Sequence, residues 1–217
     1  MIAMILAAGR GERLRPLTDT VPKSMVEVCG EKLIDRHLYM LADAGAKTVV
    51  INLGWLGEKI VEHVGSGKRF GVHVVYSPEY NNVLETGGGI YRALPLLGDA
   101  PFWVINADIH TDMSLSADEM AADAVAHLVL VPTPDHKPKG DFNLVADRVR
   151  NDVNPALTFS GIAKYRPEFF AAASGGRFSV SPMLRQFADA GRLSGNLFTG
   201  SWEDVGTPQR LAELNRR

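Results

Sequence analysis

"MILAAGRGERLRPLT" occupies residues 4–18, where an apolar run ends in a loop with two glycines and three arginines. The apolar run predicts a buried strand, and the glycines predict a sharp bend at Gly9. Backbone N–H groups between Ala8 and Arg13 can then form a nest for an anion. The arginines around them add positive charge, with Arg15 able to bind two phosphate oxygens through its planar fork. The spacing favours a phosphate site and leaves an ordinary basic surface turn as the alternative.

Two common phosphate-binding loops do not fit these residues. A Walker loop ends in glycine-lysine-serine or glycine-lysine-threonine, and neither tripeptide occurs in the chain. A dinucleotide fingerprint needs a third glycine where Leu14 stands. In addition, Pro16 and Pro22 keep the backbone extended where that fingerprint requires a helix. The loop is therefore predicted to be neither a Walker loop nor the fingerprint of a dinucleotide oxidoreductase.

The composition predicts a single cytoplasmic domain. The chain has 217 residues, of which 46% are hydrophobic, and this is enough to bury one substantial core. A formal net charge of -2 argues against nucleic acid or an anionic membrane as a partner. The single cysteine, Cys29, excludes an intrachain disulfide and suits a reducing compartment. The apolar run 1–8 is too short for a signal peptide or a membrane span.

Strand and helix patterns alternate through the first half of the chain, which predicts an α/β fold with a mostly parallel central sheet flanked by helices. Helices are also predicted at 167–173, 181–190 and 208–216, and the second half is less regular. Ligands in such sheets bind beyond the carboxyl ends of the strands. Three segments are predicted to lie there: the Gly9 loop, residues 85–89 and Asp108.

Several motifs together resemble the signature of the sugar-1-phosphate nucleotidyltransferases, and the resemblance covers essentially the whole chain. The motifs are "LAAGRGERLRPLT" (6–18), "PKSMV" (22–26), "LETGGGI" (84–90), "INADI" (105–109) and "WEDVGT" (202–207). The resemblance implies a Rossmann-like fold of the nucleotide-diphospho-sugar transferase (GT-A-like) type. It also implies one domain, 1–217, with a nucleotide-binding part at roughly 1–112 and a sugar-binding part at roughly 113–217. The implied substrates are a nucleoside triphosphate and a sugar-1-phosphate.

The same resemblance implies roles for particular residues. Asp108 and Asp204 would hold Mg²⁺, because magnesium is commonly bound by one or two carboxylates together with substrate phosphates. Lys23 would steady the α-phosphate as charge builds up, and Arg15 would lie near the leaving pyrophosphate. The residues expected to bind the nucleotide are Ala8, Gly9, Gly11, Glu12, Arg13, Lys23, Glu85, Gly87 and Gly88.

Two structural readings of the segment 85–89 stay open from the residues alone. Bare backbone at Gly87 and Gly88 would let a flat nucleobase come close. Alternatively, Thr86 caps a helix that the glycines simply open.

Within the family, the compact length and the segment 127–144, "HLVLVPTPDHKPKGDFNL", most resemble the N-acetylmuramate-1-phosphate uridylyltransferases of cell-wall sugar recycling. On this interpretation Lys139 would meet the sugar's phosphate or its lactyl carboxylate, and Asp141 its hydroxyls. The strand around Ser160 would line the same pocket, together with the loop that ends at Asn143. The alternative is that "KPKGD" is a solvated turn.

Three features depart from that subfamily. Ser24 follows Lys23 where proline is usual, and Ala107 precedes Asp108 where glycine is common. Asn81 and Asn82 lengthen the segment before Leu84 and are expected to alter base or sugar contacts.

Other functions stay open on the same fold. They are mannose-1-phosphate guanylyltransferase, glucose-1-phosphate uridylyl- or thymidylyltransferase, and a sensor of nucleotide sugars without catalysis. The presence of Lys23, Asp108 and Asp204 argues against the sensor. His37 lies on an apolar helical face and is predicted to be a hydrogen-bonded core residue.

Overall fold

A computed structural model of the protein describes residues 1–79, 83–115 and 120–216. Asn81 and Asn82, for which altered contacts were predicted, lie outside the described residues. The strands within these ranges are β1 (Ile2–Leu6), β2 (Glu27–Val28), β3 (Glu31–Lys32), β4 (Thr48–Leu53), β5 (His73–Pro78), β6 (Phe102–Asn106), β7 (Ile109–Thr111), β8 (Ala126–Pro132), β9 (Asn143–Val145), β10 (Arg148–Arg150), β11 (Leu157–Tyr165), β12 (Leu193–Leu197) and β13 (Trp202–Asp204). The α-helices are α1 (Leu33–Asp43), α2 (Gly57–Val64), α3 (Glu85–Leu97), α4 (Ser181–Asp189) and α5 (Pro208–Leu214).

A nine-stranded sheet runs through the molecule in the order β5-β4-β1-β6-β11-β8-β12-β10-β9. The four strands β5, β4, β1 and β6 are parallel, as the alternating strand and helix patterns predicted. β11 then runs antiparallel to both β6 and β8, and β9 and β10 form an antiparallel extension at the far edge. The predicted α/β fold with a mostly parallel central sheet and flanking helices is confirmed.

The core lies on both faces of this sheet, because successive side chains of a strand point to opposite faces. In β1, Ala3 and Ile5 pack with the apolar faces of α1 and α2, whereas Met4 packs with α3. All three side chains are fully buried. The sheet is therefore covered by helices on both sides, which leaves the loops at its carboxyl edge as the accessible surface for a site.

A two-stranded ribbon returns the end of the chain to that edge. β13 pairs antiparallel with β7, with Asp204 opposite Ile109. Asp108, one residue before β7, accepts through its main-chain carbonyl from the Val205 N–H at 2.8 Å. This pairing joins two segments that lie about a hundred residues apart in the chain.

The helix predicted at 167–173 is instead a short 3-10 helix, Pro167–Phe170. Phe169 and Phe170 are buried against Tyr165 there, so aromatic packing holds the segment without a longer helix. Among the described residues, no helix has both the length and the apolar character needed to cross a membrane.

Candidate active site

Three adjoining cavities open at the carboxyl ends of the parallel strands. The α3 cavity, about 230 Å³, lies between the loop after β1 and the start of α3. The loop cleft, about 860 Å³, lies between residues 10–13 and 176–177. The β11 cavity, about 380 Å³, lies between residues 158–161 and the β13 segment. Lys23 lines the first two, and Asp108 lines the first and the third.

The loop after β1 folds around Gly11. Gly11 has a φ of +67°, and a Cβ there would lie 3.0 Å from side-chain atoms of both Lys23 and Thr18. The Thr18 hydroxyl donates to the Gly11 carbonyl at 2.8 Å and closes the loop. Gly9, in contrast, is exposed and has open space where a Cβ would be. Gly11, and not Gly9, is therefore the glycine of this loop that needs the left-handed conformation.

Buried polar contacts anchor this loop to β4 and to α3. The Ala7 N–H donates to Asn52 Oδ1 at 2.7 Å, and Asn52 Nδ2 donates to Glu79 Oε1 at 2.7 Å. The other carboxylate oxygen of Glu79 accepts from the Leu84 N–H at 2.8 Å. Asn52 and Glu79 are almost fully buried, so these bonds satisfy groups that are out of reach of bulk water. Neither residue was singled out from the sequence, although Asn52 lies near the carboxyl end of β4 and Glu79 directly follows β5.

The two arginines that follow Gly11 contact different surroundings. Arg15 Nε donates to Asp19 Oδ1 at 2.6 Å, and this hydrogen bond raises the pKa of Arg15. The Arg15 side chain is 49% exposed and lines none of the three cavities. Arg13 lines both the loop cleft and the β11 cavity. Arg15 therefore lies outside these cavities, Arg13 lies at two of them, and the role predicted for Arg15 stays a prediction.

Lys23 and Asp108 form an ion pair at the meeting point of the cavities. Lys23 Nζ donates to Asp108 Oδ2 at 2.5 Å. Lys23 lies on a 3-10 turn, Lys23–Met25, that follows Pro22, and Asp108 lies two residues beyond the end of β6. Both side chains are mostly buried, with 17% and 28% exposed, so the attraction is screened less than on an open surface. The structure thus brings together two of the residues that the sequence singled out.

Asp204 reaches the same place from the end of the chain. The β7–β13 pairing puts it beside Ile109, and it lines the β11 cavity together with Asp108. Arg210 Nη1 donates to Asp204 Oδ1 at 2.5 Å, and His136 Nε2 lies 3.4 Å from that oxygen. Each predicted metal-binding carboxylate therefore faces a cation. Neither Arg210 nor His136 was singled out from the sequence as a site residue.

The start of α3 packs closely against the segment 174–180. A Cβ on Gly87 would lie 2.4 Å from the ring of Phe178, and one on Gly88 would lie 2.2 Å from the carbonyl oxygen of Gly176. These glycines make room for the segment 174–180, and the predicted contact with a nucleobase stays a prediction. The Thr86 hydroxyl accepts from the Val180 N–H at 3.0 Å and does not cap the helix.

Glu85 opens α3 in an unusual backbone conformation. Its φ is +61°, in the left-handed region, which side-chain-bearing residues seldom adopt. Its carboxylate accepts from Arg177 Nε at 2.9 Å, and Arg177 lines the loop cleft. Glu85 and Thr86 line the α3 cavity, whereas Gly87 and Gly88 are buried behind it.

Of the four residues predicted to meet the sugar, Ser160 lines the β11 cavity. Its main-chain carbonyl accepts from Trp202 Nε1 at 3.0 Å, where the indole packs against the cavity wall. Lys139 is exposed and does not line the cavity, whereas Lys137 does.

The side chains of Asp141 and Asn143 form hydrogen bonds with other residues of the chain. Asp141 accepts from Lys137 and from the Phe159 N–H. Asn143 bonds to three groups of the loop 152–156. Asp141 and Asn143 therefore hold the loops of this pocket, and their predicted contacts with the sugar stay a prediction.

His37 supports the site from beneath. It is fully buried on α1, and its Nε2 lies 2.8 Å from the carbonyl oxygen of Ile109, the residue after Asp108. Burial lowers the pKa of His37 to about 4, against the smaller opposing effects of the Ile109 carbonyl and the Asp108 charge. The prediction of a hydrogen-bonded core histidine is confirmed.

The sequence of the chain matches the model of a known protein family. The sequence model of the nucleotidyl transferase family matches residues 2–146. The chain belongs to this family. The matched range includes the loop after β1, Lys23, the start of α3 and Asp108. The resemblance to nucleotidyltransferases stated from the motifs is thereby confirmed.

Two curated relatives of this nucleotidyltransferase are similar along nearly its full length. The N-acetylmuramate alpha-1-phosphate uridylyltransferase of Neisseria meningitidis serogroup B is 49% identical, over 98% of this chain and 96% of that protein. The protein of the same name from Caulobacter vibrioides is 36% identical, over 98% of this chain and 97% of that protein.

A solved structure from Bacillus anthracis, described as a glucose-1-phosphate thymidylyltransferase in complex with a sucrose, has the same fold. It superposes with a TM-score of 0.88 at 21% identity and covers 100% of this chain and 94% of that one.

Proposed function

We propose that this nucleotidyltransferase joins the uridylyl group of UTP to N-acetylmuramate-1-phosphate and releases pyrophosphate. The observation that carries the proposal is the 49% identity to an enzyme named for that reaction, which extends over 98% of the chain. The product would be a cell-wall sugar returned to its nucleotide-activated form. The reaction would take place in the cytoplasm, where UTP is available.

The proposed reaction is a substitution at the α-phosphorus of UTP. An oxygen of the sugar's phosphate forms the new P–O bond, and the bond from the α-phosphorus to the bridging oxygen of the β-phosphate breaks. Pyrophosphate leaves with the electron pair. The attacking phosphate has a second pKa of about 6, so it is largely ionised at neutral pH and needs no general base. The work of the protein is to hold two polyanions together and to balance their charge.

Mg²⁺ is part of the proposal, with Asp108 and Asp204 as the residues that would hold it. The two carboxylates line one cavity and are joined through the β7–β13 pairing. Lys23 and Arg210 now balance their charges. Carboxylate oxygens suit this hard cation, which completes its shell with substrate phosphates and water. When bound, the ion would neutralise part of the phosphate charge.

Lys23 and Arg13 are the proposed catalytic cations of the chain. Lys23 lies between the α3 cavity and the loop cleft, where it would stabilise the charge that develops on the α-phosphate. Arg13 lies between the loop cleft and the β11 cavity, within reach of phosphates on either side. The N–H groups from Ala8 to Arg13 would hold the triphosphate, and Ser160 would line the sugar pocket.

The alternative pairs of nucleotide and sugar-1-phosphate would react by the same chemistry. Guanylyl transfer to mannose-1-phosphate, or uridylyl or thymidylyl transfer to glucose-1-phosphate, would need the same two aspartates and Lys23. A sensor without catalysis is disfavoured, because Lys23, Asp108 and Asp204 converge on adjoining cavities.

The test is pyrophosphate release across the four nucleoside triphosphates and four sugar-1-phosphates, with Mg²⁺ and with EDTA. The sugars are N-acetylmuramate, mannose, glucose and N-acetylglucosamine. Release with UTP and N-acetylmuramate-1-phosphate, abolished by EDTA, is the expected result. A preference for GTP with mannose-1-phosphate would keep the mechanism and reject the substrates. No release with any pair would favour the sensor.

A further inference from the structure

Lys137 is held in the wall of the β11 cavity by a carboxylate. Lys137 Nζ donates to Asp141 Oδ2 at 2.6 Å, and the Phe159 N–H donates to the same oxygen at 3.0 Å. The Asp141 N–H in turn donates to the Leu157 carbonyl at 2.7 Å. Asp141 is thereby tied to β11 through both its main chain and its side chain. Lys137, whose ammonium group it holds, is one of the residues that line the cavity.

The other basic side chains that line this cavity lie at the proposed metal site. Arg210 and His136 contact Asp204, and Arg13 lies beside Gly206, two residues further on. Lys137 is paired with the β11 side of the cavity instead. Basic side chains of the cavity therefore pair with two different carboxylates, Arg210 with Asp204 and Lys137 with Asp141.

We propose that Lys137 binds a carboxylate on the sugar, the 3-O-lactyl group that distinguishes N-acetylmuramate from N-acetylglucosamine; this inference rests on the proposed function. The lactyl group leaves the sugar ring at carbon 3, away from the phosphate at carbon 1. A cation for the lactyl carboxylate must therefore be distinct from those that balance the reacting phosphates, and Lys137 meets this requirement.

Asp141 orients the ammonium group of Lys137 and leaves donors on that group for a ligand. An ammonium group has three N–H donors, and one of them is directed to Asp141. The negative charge of Asp141 is shared with the Phe159 N–H. Arg185 Nη1 also donates to the Asp141 carbonyl at 3.2 Å and brings further positive charge to this loop. Two donors on Lys137 are left for a ligand carboxylate.

The test removes the charge from the protein, from the substrate, or from both. Lys137→Met is compared with wild type on N-acetylmuramate-1-phosphate and on its lactamide, in which an uncharged amide replaces the carboxylate. Each change alone is expected to lower kcat/KM by about tenfold, the order of magnitude for one hydrogen bond to a charged group. The two changes together should cost no more than one. KM for UTP should stay unchanged, and Lys137→Arg should restore most of the preference for the acid.

Two further lysine variants complete the experiment. Lys68→Met, at an exposed position of the 3-10 turn Lys68–Phe70 that lines none of the three cavities, is the matched control and should leave both substrates unaffected. Lys139→Met tests the lysine that the sequence favoured. A loss of the acid preference at Lys139 and not at Lys137 would overturn the proposal, and so would an equal loss on acid and lactamide. Those results would leave the proposed function standing. Absence of wild-type turnover with N-acetylmuramate-1-phosphate would reject both.

Discussion

At the scale of single residues, we expect alanine variants of Arg13 and Arg15 to have opposite effects on turnover. Arg13→Ala should lower kcat/KM for UTP by about 100-fold, as expected for a lost cation near the developing charge. Arg15→Ala should leave turnover close to wild type, because its exposed pair with Asp19 lies outside the three cavities and such pairs contribute little. Steady-state pyrophosphate release measures both variants. A large loss at Arg15 with little at Arg13 would restore the sequence-based assignment.

Asp108→Asn tests the proposed metal site with little change in size. The variant keeps the shape of the side chain but removes the charge that pairs with Lys23 and would bind Mg²⁺. We expect kcat to fall by on the order of 100-fold or more, together with a higher Mg²⁺ requirement. The measurement is pyrophosphate release over a magnesium titration.

The control for Asp108→Asn is Asp19→Asn, which breaks the surface pair with Arg15 and should be silent. An unchanged melting temperature for Asp108→Asn would show that folding is intact. Wild-type turnover in that variant would remove Asp108 from the mechanism.

At the scale of elements, the glycines of α3 are explained by packing. Gly87→Ala would push a methyl group to 2.4 Å from the Phe178 ring, so we expect it to lower the free energy of unfolding by about 2 kcal/mol. Denaturant unfolding measures this change, and Phe178→Leu in the same chain should recover part of it. Gly9→Ala is the matched control, because open space surrounds that position. Equal stability of Gly87→Ala and wild type would mean that the segment 174–180 does not press on α3.

The left-handed backbone at Glu85 predicts that a glycine variant is more stable than an alanine variant, the reverse of the usual order in a helix. Both Glu85→Gly and Glu85→Ala remove the pair with Arg177, so the comparison isolates the backbone. Glycine should be the more stable by about 1 kcal/mol, because the left-handed conformation penalises a Cβ. At Glu62, an exposed position inside α2, the ordinary order with alanine more stable should hold. Thermal unfolding of the four variants measures the order of stability at each position. The same order of glycine and alanine at both positions would contradict the strained backbone.

At the scale of the whole molecule, local pattern predicted the parallel half of the sheet and long-range pairing determined the rest. Buried strands and amphipathic helices carry their own periodicity, so β1, β4, β5 and β6 were readable from the sequence. β7, β9, β10 and β13 are three residues long, too short to show a period. β7 and β13 form because distant segments meet, as Asp204 and Ile109 do, whereas β9 and β10 pair as a local hairpin in which Val145 lies opposite Arg148.

The same division applies to the site. Asp108 follows the end of a strand, and Lys23 belongs to the motif "PKSMV". The structure brings the two side chains together. The direction of a side chain depends on its neighbours, and neighbours are not visible in a linear pattern. Arg15 turns to Asp19, and Lys137 is held at the β11 cavity while Lys139 is exposed. Residue types and strand ends were therefore predictable, whereas the choice between two nearby cations was not.

His37 couples the stability of the whole molecule to pH. Its ordinary pKa of 6.5 applies in the unfolded chain, and burial lowers it to about 4 in the folded protein. Above pH 6.5 the imidazole is neutral in both states and adds no pH dependence. Between about pH 6.5 and 4 the unfolded chain binds the proton and the folded protein does not, so the free energy of unfolding falls as pH falls. The loss is about 1.4 kcal/mol per pH unit, or about 3 kcal/mol over the whole window.

His37→Gln should remove this contribution, because glutamine keeps an N–H donor near the Ile109 carbonyl and does not titrate. We expect the stability of wild type relative to this variant to fall by about 2 kcal/mol between pH 7.5 and pH 5, measured by urea unfolding at each pH. His73→Gln, at an exposed position in β5, is the matched histidine control. Parallel curves for His37→Gln and wild type would mean that the folded protein binds the proton as readily as the unfolded chain. The imidazole beneath Asp108 would then be accessible to water, and the core under the site would be open rather than packed.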